Sequence, residues 1–329
     1  MELSVTGLHA VVVGGDIRAA AQVAALLESG ARVTVVAAEA TATLEDLAAR
    51  GLIDLVARDA GPDDLTGADL VLRPARSADP GPDRILGTGS VTLVGGGPGD
   101  PGLVTVAGRD AIASADVVVT DRLAPLAALA WARPDAEIID VAKIPHGRST
   151  SQEEINRLLV EHAKSGRRVV RFKGGDNFVF GRGSEEILAC LDAGIEVRAV
   201  PGVSSSIAAP ASAGIPVTHR GLTQGFTVIS GHVPPGHPDS TLDYAALART
   251  GTTLVVLMGV RTLGAICAAL VEAGLDPSTP AAVVADGTLP SQRVVRATLA
   301  TLDQVASAAG IGAPAVAVIG DVADIPGLA

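Results

Sequence analysis

At 329 residues the chain has the length of about two domains, at roughly 150 residues each, and can bury about three-quarters of its unfolded surface. Hydrophobic residues make up 48%, aromatics only 2% and charged residues 19%, so Val, Ala, Leu and Ile must build the core, as in parallel sheets covered by helices. With 25 Lys and Arg against 36 Asp and Glu, a formal charge of −11 argues against a general nucleic-acid binder or an anionic-membrane binder. An anionic substrate has to be met by a local basic patch instead.

The first apolar run, 9–13, meets Gly14-Gly15. A helix over 17–28 and a second strand over 32–37 complete a βαβ opening. Shorter β-like runs follow at 53–57 and 69–72. The pattern then collapses into RPARSADPGPDRILGTGS, a linker by composition. The first unit is thus less than half of a complete dinucleotide-binding domain, and is either truncated or supported by its neighbour.

A second α/β series has strands predicted at 91–95, 116–120, 137–141, 168–172 and 196–200. Within it, Ser151 followed three residues later by Glu154 reads as a capping box. After Pro201-Gly202 comes a Ser/Ala-rich helix, then strands predicted at 226–230, 253–257, 281–285, 293–298 and 315–319. The expected division is 1–72 truncated and Rossmann-like, 73–89 linker, 90–203 a first lobe and 204–329 a second. The fold class is α/β throughout.

The two cysteines, Cys190 and Cys267, sit in apolar helical patterns and suit neither a disulfide framework nor a thiolate metal site. The longest stretch without Asp, Glu, Lys or Arg, 199–219, is broken by Pro201, Pro210 and Pro216, so it is no membrane helix. No basic leader opens the chain. A soluble, cytoplasmic protein without a metal is the simplest expectation.

Chemistry gathers where strands end. The run from Gly95 to Gly102, GGGPGDPG, either brings backbone close to a ligand or is a plain tight turn. It fits neither GxGxxG nor the P-loop. Asp121 and Lys143 follow two strands of one sheet and can face one crevice, although surface solvation or capping also accounts for each alone. KGGDNFVFGRG, residues 173–183, sets Asp176 and Arg182 among four glycines and two of the four phenylalanines. Ser204 and Ser205 after Pro201-Gly202 can bond a ligand or cap the next helix. His219, Arg220 and His232 add titratable or positive groups without metal-ligand spacing.

Taken together and in order, VTLVGGGPGDPGLVTV, ADVVVTDRLAP, KGGDNFVFGRGSEE, VPGVSSSIAAPASAGIPVTHR and MGV resemble the uroporphyrinogen-III C-methyltransferase branch of the tetrapyrrole methylase family, over about Ser90 to Ile325. The first unit resembles the dehydrogenase domain of siroheme synthase. The resemblance implies two α/β lobes holding S-adenosyl-L-methionine, and two methyl transfers to the macrocycle that give precorrin-2, the branch point to siroheme and cobalamin. Its cofactor positions fall on Pro98, Gly174, Gly175, Asp176, Val179, Ser204, Ser205, Met258 and Gly287. Its proton acceptor falls on Asp121 and its proton donor on Lys143. Arg122, Arg148, Arg182 and Arg220, with Lys143, are candidates for the substrate's carboxylates. By analogy the family implies a homodimer.

Departures lie on the expected substrate side: Asn177 replaces the family's usual Pro, Thr120 a Tyr, Ile144 a cation and Ser212 an aromatic. In the first unit Ala19 and Ala20 stand near the place of the third fingerprint glycine, while Glu39 keeps a ribose-meeting distance. A vestigial domain is expected, without NAD-dependent oxidation or metal insertion. Two other readings share these motifs: another precorrin C-methyltransferase, and a non-catalytic module that senses S-adenosylmethionine or NAD.

Overall fold

The computed structural model describes residues 5–73, 89–141 and 150–326. Lys143, Ile144 and Arg148 lie outside the described residues, as does the expected linker apart from its two ends. Two compact units are present, Met1–Val203 and Ser204–Ala329.

The first unit holds two parallel sheets. One comprises β1 (His9–Val13), β2 (Arg32–Val36), β3 (Asp54–Val56) and β4 (Leu70–Leu72), in the order β3-β2-β1-β4. Helix α1 (Ile17–Glu28) follows β1 and α2 (Ala42–Ala49) follows β2. Helix α1 starts where the Asp16 carboxylate accepts the Ala19 amide at 2.8 Å, satisfying one of the donors every helix start leaves unpaired.

The second sheet comprises β5 (Ser90–Gly95), β6 (Val117–Thr120), β7 (Glu137–Asp140), β8 (Arg168–Lys173) and β9 (Glu196–Val200), in the order β7-β6-β8-β5-β9. Helices α3 (Val106–Ser114), α4 (Gln152–Lys164) and α5 (Gly183–Asp192) connect them. Both sheet faces are covered. Val91, Leu93, Val117, Val119 and Val169 pack with Ile155 and Leu159 of α4 and Cys190 of α5. On the other face Val94, Val118, Val170 and Phe172 belong to a cluster that also holds Ala128 and Leu129 of the 3-10 segment Leu126–Trp131 and Ala19, Ala20 and Val23 of α1.

That last cluster shows the short first sheet leaning on its neighbour. The Arg18 guanidinium donates to the Ala136 carbonyl at 2.7 Å and the Pro134 carbonyl at 3.2 Å. Asp46 of α2 pairs with Arg122 at 2.8 Å. A half-domain with too little core of its own is completed by apolar surface from the second sheet.

Two details differ from expectation for clear reasons. Ser151 caps α4 by accepting the Glu154 amide at 3.2 Å, but the Glu154 carboxylate turns to Arg157 at 2.6 Å, so only half of the capping box forms. Strand β8 runs one residue past its apolar core to Lys173, which pairs with Gly95 in register. This ammonium is tolerated in the sheet because Glu186 meets it at 2.6 Å.

The second unit is one mixed sheet, β10 (Phe226–Ser230), β11 (Thr253–Leu257), β12 (Pro280–Ala285), β13 (Arg293–Thr298) and β14 (Ala315–Ile319), ordered β10-β11-β14-β12-β13. Helices α6 (Ser205–Ser212), α7 (Tyr244–Ala248), α8 (Leu263–Glu272) and α9 (Leu302–Ala308) accompany it. Strands β11 and β12 both run antiparallel to β14, so their carboxyl ends emerge on one edge. Among the described residues no helix is long and apolar enough to cross a membrane.

Candidate active site

In the first unit the carboxyl ends of four strands meet backbone to backbone. The Gly95-to-Gly102 loop after β5 is tied to the loop after β8 by reciprocal bonds, Gly97 N–H to Gly175 O at 3.1 Å and Gly175 N–H to Gly97 O at 2.6 Å. A Cβ on Gly202, just past β9, would lie 2.3 Å from Gly175 O, and one on Gly174 would lie 2.3 Å from the Leu123 carbonyl after β6. Only residues without a side chain permit these approaches. The glycine pattern is therefore a packing requirement of one crevice edge, and Pro98, Gly174, Gly175 and Asp176 all lie on it.

Asp176 ties this edge together. One carboxylate oxygen accepts the Phe178 amide at 2.9 Å and the other the Gly202 amide at 3.1 Å. Beside it, Asn177 is fully buried and donates from Nδ2 to the Val200 carbonyl at 2.8 Å. The Asn177 side chain thus links the loop to β9 through a bond that proline has no donor to make. Phe178, Val179 and Phe180 are exposed, so they do not form a packed cover over the sheet.

Backbone strain marks the loop after β8 and two strand ends of the second unit. The described non-glycine residues with positive φ are Phe180 (56°), Arg182 (57°), Met258 (58°), Asp286 (51°) and Thr288 (74°). Left-handed backbone costs a non-glycine residue roughly 1–2 kcal/mol and persists where the surroundings dictate it, often at ligand sites. In the second unit Met258 follows β11 and Gly287 follows β12, on the shared edge noted above. Ser204 caps α6, its hydroxyl accepting the Ser206 amide at 3.3 Å, and Ser205 opens that helix.

Asp121 lies just past β6 with its side chain 28% exposed. One oxygen accepts the Leu123 amide at 3.1 Å, and the other receives Arg171 Nη2 at 2.9 Å. Behind it runs an array that sequence reasoning did not single out. Arg171 Nε reaches Glu186 at 2.9 Å, and the other Glu186 oxygen holds Lys173 Nζ at 2.6 Å. Arg171 and Lys173 side chains are 5% exposed and Glu186 is wholly buried. Burial opposes the Arg171 charge, but Asp121 and Glu186 outweigh it and push its pKa above the ordinary value. Burial also pulls the Lys173 pKa down. The legible signal was Arg171 itself, a charge inside the otherwise apolar VVRF of a strand covered on both faces.

The arginines proposed for the substrate are engaged or scattered. Arg122 is paired with Asp46, Arg182 with Glu185 at 2.7 Å, and Arg220 is exposed in the second unit. No group of three His, Cys, Asp or Glu among the described residues is arranged to hold a metal ion. A cavity of about 210 Å³ opens at the amino-terminal edge of the second sheet, away from the glycine corners, lined by Ser90, Ser114, Arg168, Glu196 and Arg198. Its two cations are already engaged by Asp116 and Thr92.

Comparisons with known proteins agree with this geometry. The chain is 47% identical over 234 residues to an S-adenosyl-L-methionine-dependent uroporphyrinogen III methyltransferase of Methanosarcina barkeri, a match covering 71% of this chain and 92% of that protein. It is 46% identical over 238 residues to the uroporphyrinogen-III C-methyltransferase of Bacillus subtilis, where the match takes in 72% of this chain but only 49% of the relative. A solved structure of uroporphyrin-III C-methyl transferase from Thermus thermophilus, complexed with S-adenyl homocysteine, superposes with a TM-score of 0.61 at 39% identity, covering 72% of this chain and 94% of that one. Residues 1–77 match a family described as putative NAD(P)-binding. Residues 90–303, well over half of the chain, match the Tetrapyrrole (Corrin/Porphyrin) Methylases, and the chain belongs to that family.

Proposed function

We propose that this chain is an enzyme that transfers methyl groups from S-adenosyl-L-methionine to carbon atoms of uroporphyrinogen III, giving precorrin-2 for siroheme or cobalamin synthesis. The observation that carries the reading is the meeting of three glycine-cornered strand ends with the β6 turn that holds the Asp121 carboxylate. For the cofactor, the proposed contacts include Gly174 and exposed Val179 in the first unit and exposed Met258 in the second. Pro98, Gly175, Asp176, Ser204, Ser205 and Gly287 complete the proposed contact set.

When bound, S-adenosyl-L-methionine supplies a methyl group on an already electrophilic sulfonium. The protein's main task is alignment, which can lower a barrier by about 7–11 kcal/mol. Asp121 is the proposed proton acceptor, with one of its carboxylate oxygens taking the proton the methylated ring must lose. Lys143 is the proposed donor. Such groups contribute about 10²–10⁴ in rate, less than alignment does.

Arg122 and Arg182, with Arg148 and Arg220, are proposed to meet the substrate's carboxylates. Their present partners, Asp46 and Glu185, are exposed or partly exposed. Such pairs are worth about 0–1 kcal/mol, so exchange for a substrate carboxylate costs little. The protein is proposed to work in the cytoplasm as a homodimer, which light scattering on the purified chain checks. The central experiment incubates the chain anaerobically with uroporphyrinogen III and methyl-labelled S-adenosyl-L-methionine. Mass spectrometry should find a dimethylated ring, and an unlabelled macrocycle alongside tight S-adenosylhomocysteine binding would refute the enzymatic reading.

A further inference from the structure

We infer that Arg171 is a positioning residue for Asp121, and that Glu186 and Lys173 act behind it as one array that fixes where and how the carboxylate is held. The inference rests on the proposed role of Asp121 as proton acceptor and adds the group that orients it. Val119 and Arg171 are register partners on β6 and β8, so Asp121, two residues beyond Val119, falls on the sheet face from which Arg171 and Lys173 project. Glu186 descends on that face from the first turn of α5, where the helix dipole favours a carboxylate.

The guanidinium has no freedom left. Its Nε donates to Glu186 at 2.9 Å, Nη1 to the Val119 and Phe172 carbonyls at 3.3 and 3.2 Å, and Nη2 to Asp121 at 2.9 Å. With Leu123 N–H on its second oxygen at 3.1 Å, the Asp121 carboxylate is held at both ends, and its anchor sits on a strand rather than a loop. Replacing buried ions by apolar residues of similar volume is often neutral or stabilising, so cohesion alone does not account for three buried charges. Of the four members only Asp121 is appreciably exposed, at 28% against 5% or less for the others. The array therefore has one accessible end, and that end is the proposed reacting group.

A double-mutant cycle tests this on the full chain. Arg171→Lys keeps the charge but loses the planar fork that spans two carboxylates; it should lower kcat by about 10–100-fold, within the range ascribed to proton-transfer groups, while the KM for S-adenosyl-L-methionine and calorimetric affinity for S-adenosylhomocysteine change less than about twofold. Asp121→Asn should lower kcat further. Adding Arg171→Lys to it should cost nothing more, because a residue acting only through Asp121 has nothing left to act on. Losses that multiply, or an unchanged kcat in Arg171→Lys, would overturn the positioning role and leave the acceptor role standing. An undiminished kcat in Asp121→Asn would overturn both. Should Arg171→Lys fail to fold, Glu186→Gln runs the same cycle from the buried end, and the same outcomes decide it.

Discussion

Single atoms decide how much of this site tolerates change. Asp121→Asn keeps the shape of the side chain but removes its basicity, so methylation should slow by about 10²–10⁴ while calorimetry shows S-adenosylhomocysteine binding retained. Gly174→Ala acts differently. Its new Cβ meets the Leu123 carbonyl at 2.3 Å and can be accommodated only by moving the turn that carries Asp121. Overpacking of that kind costs about 1–3 kcal/mol, visible as a lower urea midpoint, and cofactor affinity should fall with it. Asp116 is a partly buried carboxylate that contributes to the acid response. Burial alone would raise its pKa, but bonds from the Arg168 side chain and backbone, with Arg168 and Arg133 charges, hold it at about 2 against an ordinary 3.8. Its contribution is present above the ordinary value and lost as pH falls from about 4 to about 2, amounting to about 2 kcal/mol. Asp116→Asn should flatten the acid limb of a urea-midpoint profile across that window.

Elements were the most legible level. Alternation of short Val-rich runs with amphipathic segments located β1, α1, β9, β10, β11, β13 and β14 at the bounds observed, because each apolar period is bounded by a change of pattern or a turn residue. Lys173 was read outside its strand because a lone charge looks like a terminus, and its neutralising partner Glu186 comes from another element. The same limit hid the Arg171 array and the half-formed box at Ser151. Strand-end glycines, by contrast, marked where backbone comes close, although the partners of Gly174 and Gly202, the Leu123 and Gly175 carbonyls, come from other strand ends. The packing of α1 on Leu126–Trp131 was invisible in sequence beyond the shortness of the first unit. It is testable through Arg18, which donates to two carbonyls. Arg18→Ala should destabilise the short first sheet by about 0.5–1.5 kcal/mol, the net worth of an ordinary hydrogen bond, measured by urea unfolding.

On the scale of the whole molecule, residues of the short first sheet and of the methylase sheet share one apolar cluster and one compact unit, Met1–Val203. Calorimetry should therefore show them melting in a single transition, and a chain beginning at residue 90 should melt several degrees lower, as loss of even about 1 kcal/mol shifts a domain this size by roughly 2–4 °C. An independent early transition would contradict this. Precorrin-2 with NAD should yield no NADH, as expected of an N-terminal βαβ segment without a full fingerprint. The pairing of Asp46 with Arg122 gives this arrangement an electrostatic corollary. A chain without the leading βαβ module would leave Arg122, next to Asp121 in sequence, without the Asp46 carboxylate it meets here.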